Sequence, residues 1–170
     1  MPDAAYFLSF ARYNRWANHR LYEACGRLPE AVYKSTRRAF FRSIHGALNH
    51  LLVGDRIWLG RITGQDSGIA RLDAILYEDF ATLRAARITE DERLIEVVGG
   101  LTDAAIGRNL VYRNTSGAEF STRLDLVLAH LFNHEAHHRG QVHDMLSQTD
   151  VPPPELDLII YLRTAEPTRQ

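Results

Sequence analysis

The chain has 170 residues, 45% of them hydrophobic and 24% charged, with a formal net charge of −1, which suits a single soluble domain over residues 1–170 that buries its own core without disulfides or a structural metal. The charge balance removes the electrostatic case for a nucleic-acid partner, which calls for a clustered basic face. No stretch reaches the ~20 apolar residues of a membrane span, so no membrane partner is expected.

In chain order, Met1-Pro2-Asp3 carries no basic segment followed by an apolar core, so no secretory signal is expected and the location reads as cytoplasmic. A first helix is predicted from about Asp3, whose side chain can cap it, to Gly26, with Pro29 close behind. Phe7, Phe10, Ala11, Asn14, Ala17, Leu21 and Ala24 recur at helical spacing along it. Cys25, the single cysteine, forbids an internal disulfide, fits a reducing compartment and reads as a small buried residue. Lys34 is the only lysine, so nearly all positive charge is arginine. A second helix is expected over roughly Phe40 to Ile62, with Gly64 ending it, and a third from about Glu78 to Leu101. Leu110-Val111-Tyr112 and Ala118-Glu119-Phe120 flank Asn114-Thr115-Ser116-Gly117, the pattern of a short β-hairpin. The fourth helix is expected to open on a capping box at Thr122-Arg123-Leu124-Asp125 and to run to about Ser147. Three prolines, Pro152 to Pro154, then forbid helix, and an apolar tail from Leu156 to Leu162 is expected to pack back. Four long amphipathic helices predict an all-α fold, a four-helix bundle with a short β-hairpin between the third and fourth helices.

The fourth helix carries His130, His134, His137, His138 and His143, five of the eight histidines. His134 and His138 stand four apart, hence on one face, and two imidazoles so placed can share one metal ion. His130 extends the strip by a turn, whereas His137 is rotated by about 100° from His138 and points elsewhere. A third ligand must come from a facing helix. His45 and His50 on the second helix are the candidates, with His45 expected to be partly exposed. Gly54, one turn beyond His50, would let another helix come close. His19 reads as an ordinary histidine. The stretch His134-Glu135-Ala136-His137-His138 satisfies the zinc-protease pattern H-E-x-x-H, but such a protease also needs a further downstream ligand, and only Glu155, behind three prolines, offers one. The repeated Glu-x-x-His pairs of di-iron bundles are missing.

Several segments in order resemble one known family. These are Tyr13-Asn14-Arg15-Trp16-Ala17-Asn18; Leu48-Asn49-His50 followed by Asp55-Arg56-Ile57-Trp58-Leu59; and Asn133-His134 followed by His138-Arg139-Gly140-Gln141. With the Ser116-Gly117 turn and the Pro154–Leu162 tail, the chain resembles, over essentially its full length, the DinB branch of the DinB/YfiT-like superfamily of metal-binding four-helix bundles. The resemblance implies one divalent transition metal, nickel or zinc, held by His50, His134 and His138. It also implies a homodimer, since several relatives form one. It does not fix the roles of His130, Glu135 and His137.

Three neutral imidazoles leave at least one coordination position for a small-molecule substrate, the arrangement of catalytic sites. Ring N–H groups left over need acceptors, for which Asp55, Asn49 and Gln141 are candidates equally open to structural roles. Trp16 and Trp58 are candidates for the cavity wall or for plain core. Relatives include thiol S-transferases using bacillithiol or glutathione and mycothiol-dependent isomerases, so the expectation is a metalloenzyme, in its sharpest form a metal-dependent thiol S-transferase with a low-molecular-weight thiol as cofactor. The alternatives are a non-catalytic stress or DNA-damage-inducible metal-binding protein and a metal-dependent hydrolase with Glu135 as base. The last requires Glu135 to face the ion, and helical geometry projects it away.

Overall fold

The computed structural model describes residues 2–165; the expected domain of residues 1–170 reaches, with residue 1 and residues 166–170, outside the described residues. The elements in order are α1 (Ala4–Cys25), α2 (Glu30–Tyr33), α3 (Ile44–Thr63), α4 (Phe80–Gly99), α5 (Asp103–Ile106), β1 (Asn109–Arg113), β2 (Glu119–Arg123), α6 (Leu124–Ser147) and α7 (Leu158–Thr164). The protein is thus mostly helical with one small antiparallel sheet.

Local chemistry sets the ends of these elements. Asp3, Ser43 and Asp79 each accept a backbone N–H of the first turn of α1, α3 and α4, satisfying donors the helix itself cannot. The Ser43 cap moves the start of α3 from the expected Phe40 to Ile44, because Arg42 adopts a φ of 64° that a right-handed helix cannot include. Gly64, at φ 70°, ends α3 in the left-handed conformation that glycine supplies without strain. The hairpin pairs Asn109 with Arg123 through Arg113 with Glu119, around a turn where the Asn114 carboxamide oxygen accepts from Ser116 and Ala118 N–H. β2 therefore absorbs Thr122 and Arg123, and the expected capping box does not form. Arg123 occupies the cap of α6 without a side-chain hydrogen bond to it, and its guanidinium lies 2.5 Å from Asp125.

Helix α1 packs against α4 and α6, and α3 packs against the same two. Their shared apolar surface divides into two cores. Phe7 and Ala11 of α1 meet Leu59 of α3, Leu94 and Val98 of α4, and Leu128 and Leu131 of α6. At the other end Leu21 meets Leu48, Leu51, Leu83, Val142 and Leu146. Each fully buried Leu contributes roughly 1.5–3 kcal/mol. It follows that α1 and α6 run in one direction and α3 and α4 in the other.

Between the two cores all four long helices contribute polar residues to one buried layer: Asn14 and Asn18, Asp55, Arg87 and Asp91, Glu135 and Arg139. The apolar tail packs back as expected, and as a short helix. Tyr161 of α7 is buried against Tyr13 and Trp16, and the Tyr13 hydroxyl donates to the Leu156 carbonyl at 2.6 Å.

Candidate metal centre

His50 on α3 faces His134 and His138 on α6. The facing helices bring three Nε2 atoms together: His50 Nε2 lies 3.0 Å from His134 Nε2 and 3.2 Å from His138 Nε2. Gly54 makes the approach possible, since a Cβ there would stand 2.8 Å from His134 Cε1. Gly46 acts similarly on the other side. A Cβ there would collide with the Phe41 carbonyl oxygen, and its absence lets the chain before α3 lay the Phe41 ring on His50, centroids 3.8 Å apart, and edge-on to His138.

Proton accounting shows what such a cluster can hold. His50 Nδ1 lies 2.7 Å from the Leu72 carbonyl oxygen, which only accepts, so Nδ1 carries the proton and Nε2 presents a lone pair. His138 Nδ1 lies 2.8 Å from Gln141 Oε1, which fixes the same tautomer. Two lone pairs therefore confront each other, an arrangement that repels unless an electron-poor centre lies between them. Two nitrogens at ~2.0–2.1 Å from one ion are separated by roughly 2.9 Å at a right angle and roughly 3.3 Å at a tetrahedral angle. The observed spacings of 3.0 and 3.2 Å fall between these. The three histidines can hold a metal ion, and among the described residues they form the one such group of histidines, cysteines or carboxylates.

The other candidates divide clearly. Gln141 is the expected acceptor for a ligand ring, and its Nε2 also meets His137 at 3.1 Å. Asn49 directs its hydrogen bonds to the loop before α4 instead of to a ring of the triad. Asp55 and Glu135 belong to the buried layer instead. Glu135 is fully buried, 3.2 Å from Arg139, and the hydrolase reading loses its base. His45, expected to be partly exposed, is buried with Nδ1 3.0 Å from the Tyr33 hydroxyl, because α2 folds over the start of α3. His130 stays outside the cluster, edge-on to Trp58. Trp58 is half-buried between His130 and Tyr112, and Trp16 packs on Tyr13 and Tyr161. Phe41 and the Leu72 carbonyl are the functional neighbours that residue types did not reveal. Gly46 is a faint signal for the first, and a backbone carbonyl leaves none.

Comparison with known proteins identifies the family. The family model described as DinB family matches residues 1–169. The chain belongs to the DinB family. It is also 26% identical over 168 residues to Protein DinB of Bacillus subtilis (strain 168), covering 95% of each chain.

The electrostatics of this DinB chain favour neutral imidazoles, the form that binds metal. Burial lowers the His50 pKa to about 4, against the raising effect of the Leu72 hydrogen bond. Burial, reinforced by His138 and His50, lowers that of His134 to about 3. His138 is lowered as well, by burial first. Burial also pushes the Cys25 thiol up to about 12, so it stays protonated and inert as expected of a buried cysteine.

A pH dependence follows. Between the unfolded value near ~6.5 and these lowered folded values, the unfolded chain binds protons that the folded chain refuses. Metal-free stability contributed by the triad is therefore intact above pH ~6.5 and declines as pH falls toward 4. Asp55 and Glu135 act in the opposite sense, since burial raises both. The isolating measurement is urea unfolding of metal-free wild type and His134→Gln at pH 7 and pH 5. Wild type should lose more stability across that interval than the variant; equal losses would contradict the assignment.

Proposed function

We propose that this DinB family member is a metalloprotein that holds one divalent transition ion, nickel or zinc, on His50, His134 and His138, within the four-helix bundle made by its four long helices. The observation that carries the reading is the pair of Nε2 lone pairs, on His50 and His138, held 3.2 Å apart by fixed Nδ1 partners. No catalytic side chain is needed for ion capture. The Leu72 carbonyl and Gln141 orient two rings, burial keeps all three neutral, and Phe41 covers one face of His50.

The chemistry that suits three imidazoles is activation of a small thiol. A bound ion would supply Lewis acidity that keeps a ligating thiol in its thiolate form at neutral pH. The protein's own contribution is a neutral donor set, which leaves the positive charge of the ion uncompensated and available to an anionic ligand. Likeness to Protein DinB of Bacillus subtilis places the chain beside a relative whose name specifies neither a metal nor a substrate.

The experiment is to add 2-mercaptoethanol and glutathione in turn to nickel-loaded protein and record the absorption spectrum. A thiolate-to-nickel charge-transfer band is expected with wild type and none with His134→Ala. Nickel-loaded wild type that shows no band with either thiol would remove the thiol chemistry and favour a metal-binding protein without turnover.

A further inference from the structure

Helices α3 and α4 run parallel, so the segment joining them, residues 64–79, must travel back along α3. For a helix of 20 residues that distance is about 30 Å, at 1.5 Å per residue. Part-way along, the segment offers the Leu72 carbonyl to His50 Nδ1 at 2.7 Å. It has no regular secondary structure there, and the Leu72 and Ile75 side chains are largely exposed. Ordering each such residue costs about 1–2 kcal/mol in backbone entropy, so the carbonyl needs an anchor to stay on one ring nitrogen.

Asn49, the residue before His50, provides it. Its Oδ1 accepts the N–H of Leu76 at 2.9 Å and of Tyr77 at 3.0 Å. Its Nδ2 donates to the Tyr77 carbonyl at 3.2 Å and to the His45 carbonyl at 3.1 Å. The carboxamide is fully buried, and both of its donors and both acceptor positions are used. The Arg71–Asp73 pair, at 2.9 and 2.8 Å, brackets Leu72 but is exposed, so it adds little. His138 has no such dependence, because its Nδ1 partner Gln141 lies on the same helix, three residues on.

We infer that Asn49 is a positioning residue for the metal centre: by clamping residues 76 and 77 it holds the Leu72 carbonyl in place, and the carbonyl fixes His50 as the Nδ1–H tautomer with its Nε2 lone pair turned toward His134 and His138. The inference rests on the reading of His50 as a metal ligand for its purpose, though not for its geometry. Loss of the clamp frees the carbonyl, and His50 then populates the Nε2–H form, which cannot bind an ion through that nitrogen.

The test is the ring-nitrogen NMR spectrum of metal-free, ¹⁵N-histidine-labelled protein at neutral pH, together with zinc affinity. In wild type, His50 and His138 should both be Nδ1–H. In Asn49→Ala, His50 should become a mixture of tautomers while His138 stays unchanged, and zinc affinity should fall by about 10–100-fold, the usual effect of losing an outer hydrogen-bond partner. Asn49→Asp keeps the oxygen that accepts from Leu76 and Tyr77 but sets a second acceptor against the Tyr77 and His45 carbonyls, so it should restore only part of the Nδ1–H population. An unchanged His50 tautomer in folded Asn49→Ala, or equal changes at His50 and His138, would overturn the inference. Should Asn49→Ala not fold, amide hydrogen exchange in wild type decides: Leu76 and Tyr77 should be protected to the degree of α3, and exchange at free-loop rates would overturn it. Wild type that shows the expected tautomers and binds no zinc would refute the metal reading and leave the positioning role standing.

Discussion

Replacing His134 with alanine should lower zinc affinity by more than the ~10–100-fold that loss of an outer hydrogen-bond partner costs, and His50→Ala and His138→Ala should do the same. Each removes one of three converging donors, and with no other cluster of metal-ligating groups among the described residues, nothing nearby substitutes. His143→Ala is the matched control. It lies on the same helix, but its Nε2 is 3.1 Å from the Pro154 carbonyl and serves the docking of the tail. Gly54→Ala probes the same geometry without deleting a ligand. The added methyl would stand 2.8 Å from His134 Cε1, so the ring must swing away from His50, and affinity should fall by at least about tenfold with helix content unchanged. Isothermal titration with zinc checks the series. Wild-type affinity in Gly54→Ala, or equal losses in His143→Ala and His134→Ala, would show that the three rings do not act together.

The second large effect lies behind the site, in the buried layer. Arg87 is 2.6 Å from Asp55 and 3.0 Å from Asp91, while Arg139 is 3.2 Å from Glu135 and hydrogen-bonded to Asn14. Three carboxyl groups thus meet two guanidinium groups. Burial raises the pKa of Asp55, Asp91 and Glu135 alike, against the lowering effect of the guanidinium groups. Arg87→Met keeps an unbranched apolar stem and removes the partner of Asp55 and Asp91. Breaking a buried pair in this way costs about 3–5 kcal/mol, which for a chain of this size lowers Tm by roughly 6–20 °C. Arg71→Ala, which breaks only the exposed pair with Asp73, should leave Tm unchanged. Differential scanning calorimetry of the metal-free proteins separates the two outcomes. A Tm for Arg87→Met equal to that of wild type would mean the layer is not an obligatory ion-pair network.

Much of this was legible in residue patterns. The spacing of His134 and His138 places them on one helical face, and Gly54 one turn beyond His50 marks the close approach of α6. Helix ends were readable where a side chain caps them, as at Asp3, or where glycine takes a left-handed turn, as at Gly64. The start of α6 was misread because Thr122 and Arg123 fit a capping box and a β-strand equally well, and pairing with Leu110 and Asn109 prevails over local preference. His45 was misjudged for a related reason, since its burial depends on α2 folding across it. The choice between His45 and His50 as third ligand came from family resemblance rather than from periodicity. The grip of residues 64–79 on His50 was invisible, because a backbone carbonyl has no residue-type signature and its position follows from the parallel course of α3 and α4.

The most direct measurement is X-ray absorption spectroscopy on zinc-loaded wild type, combined with elemental analysis of the same sample. One ion per chain, with three imidazole nitrogens at ~2.0–2.1 Å and the remaining positions filled by light atoms, is the expected result. A preparation that takes up no stoichiometric zinc, or an ion whose shell lacks three imidazoles, would contradict it.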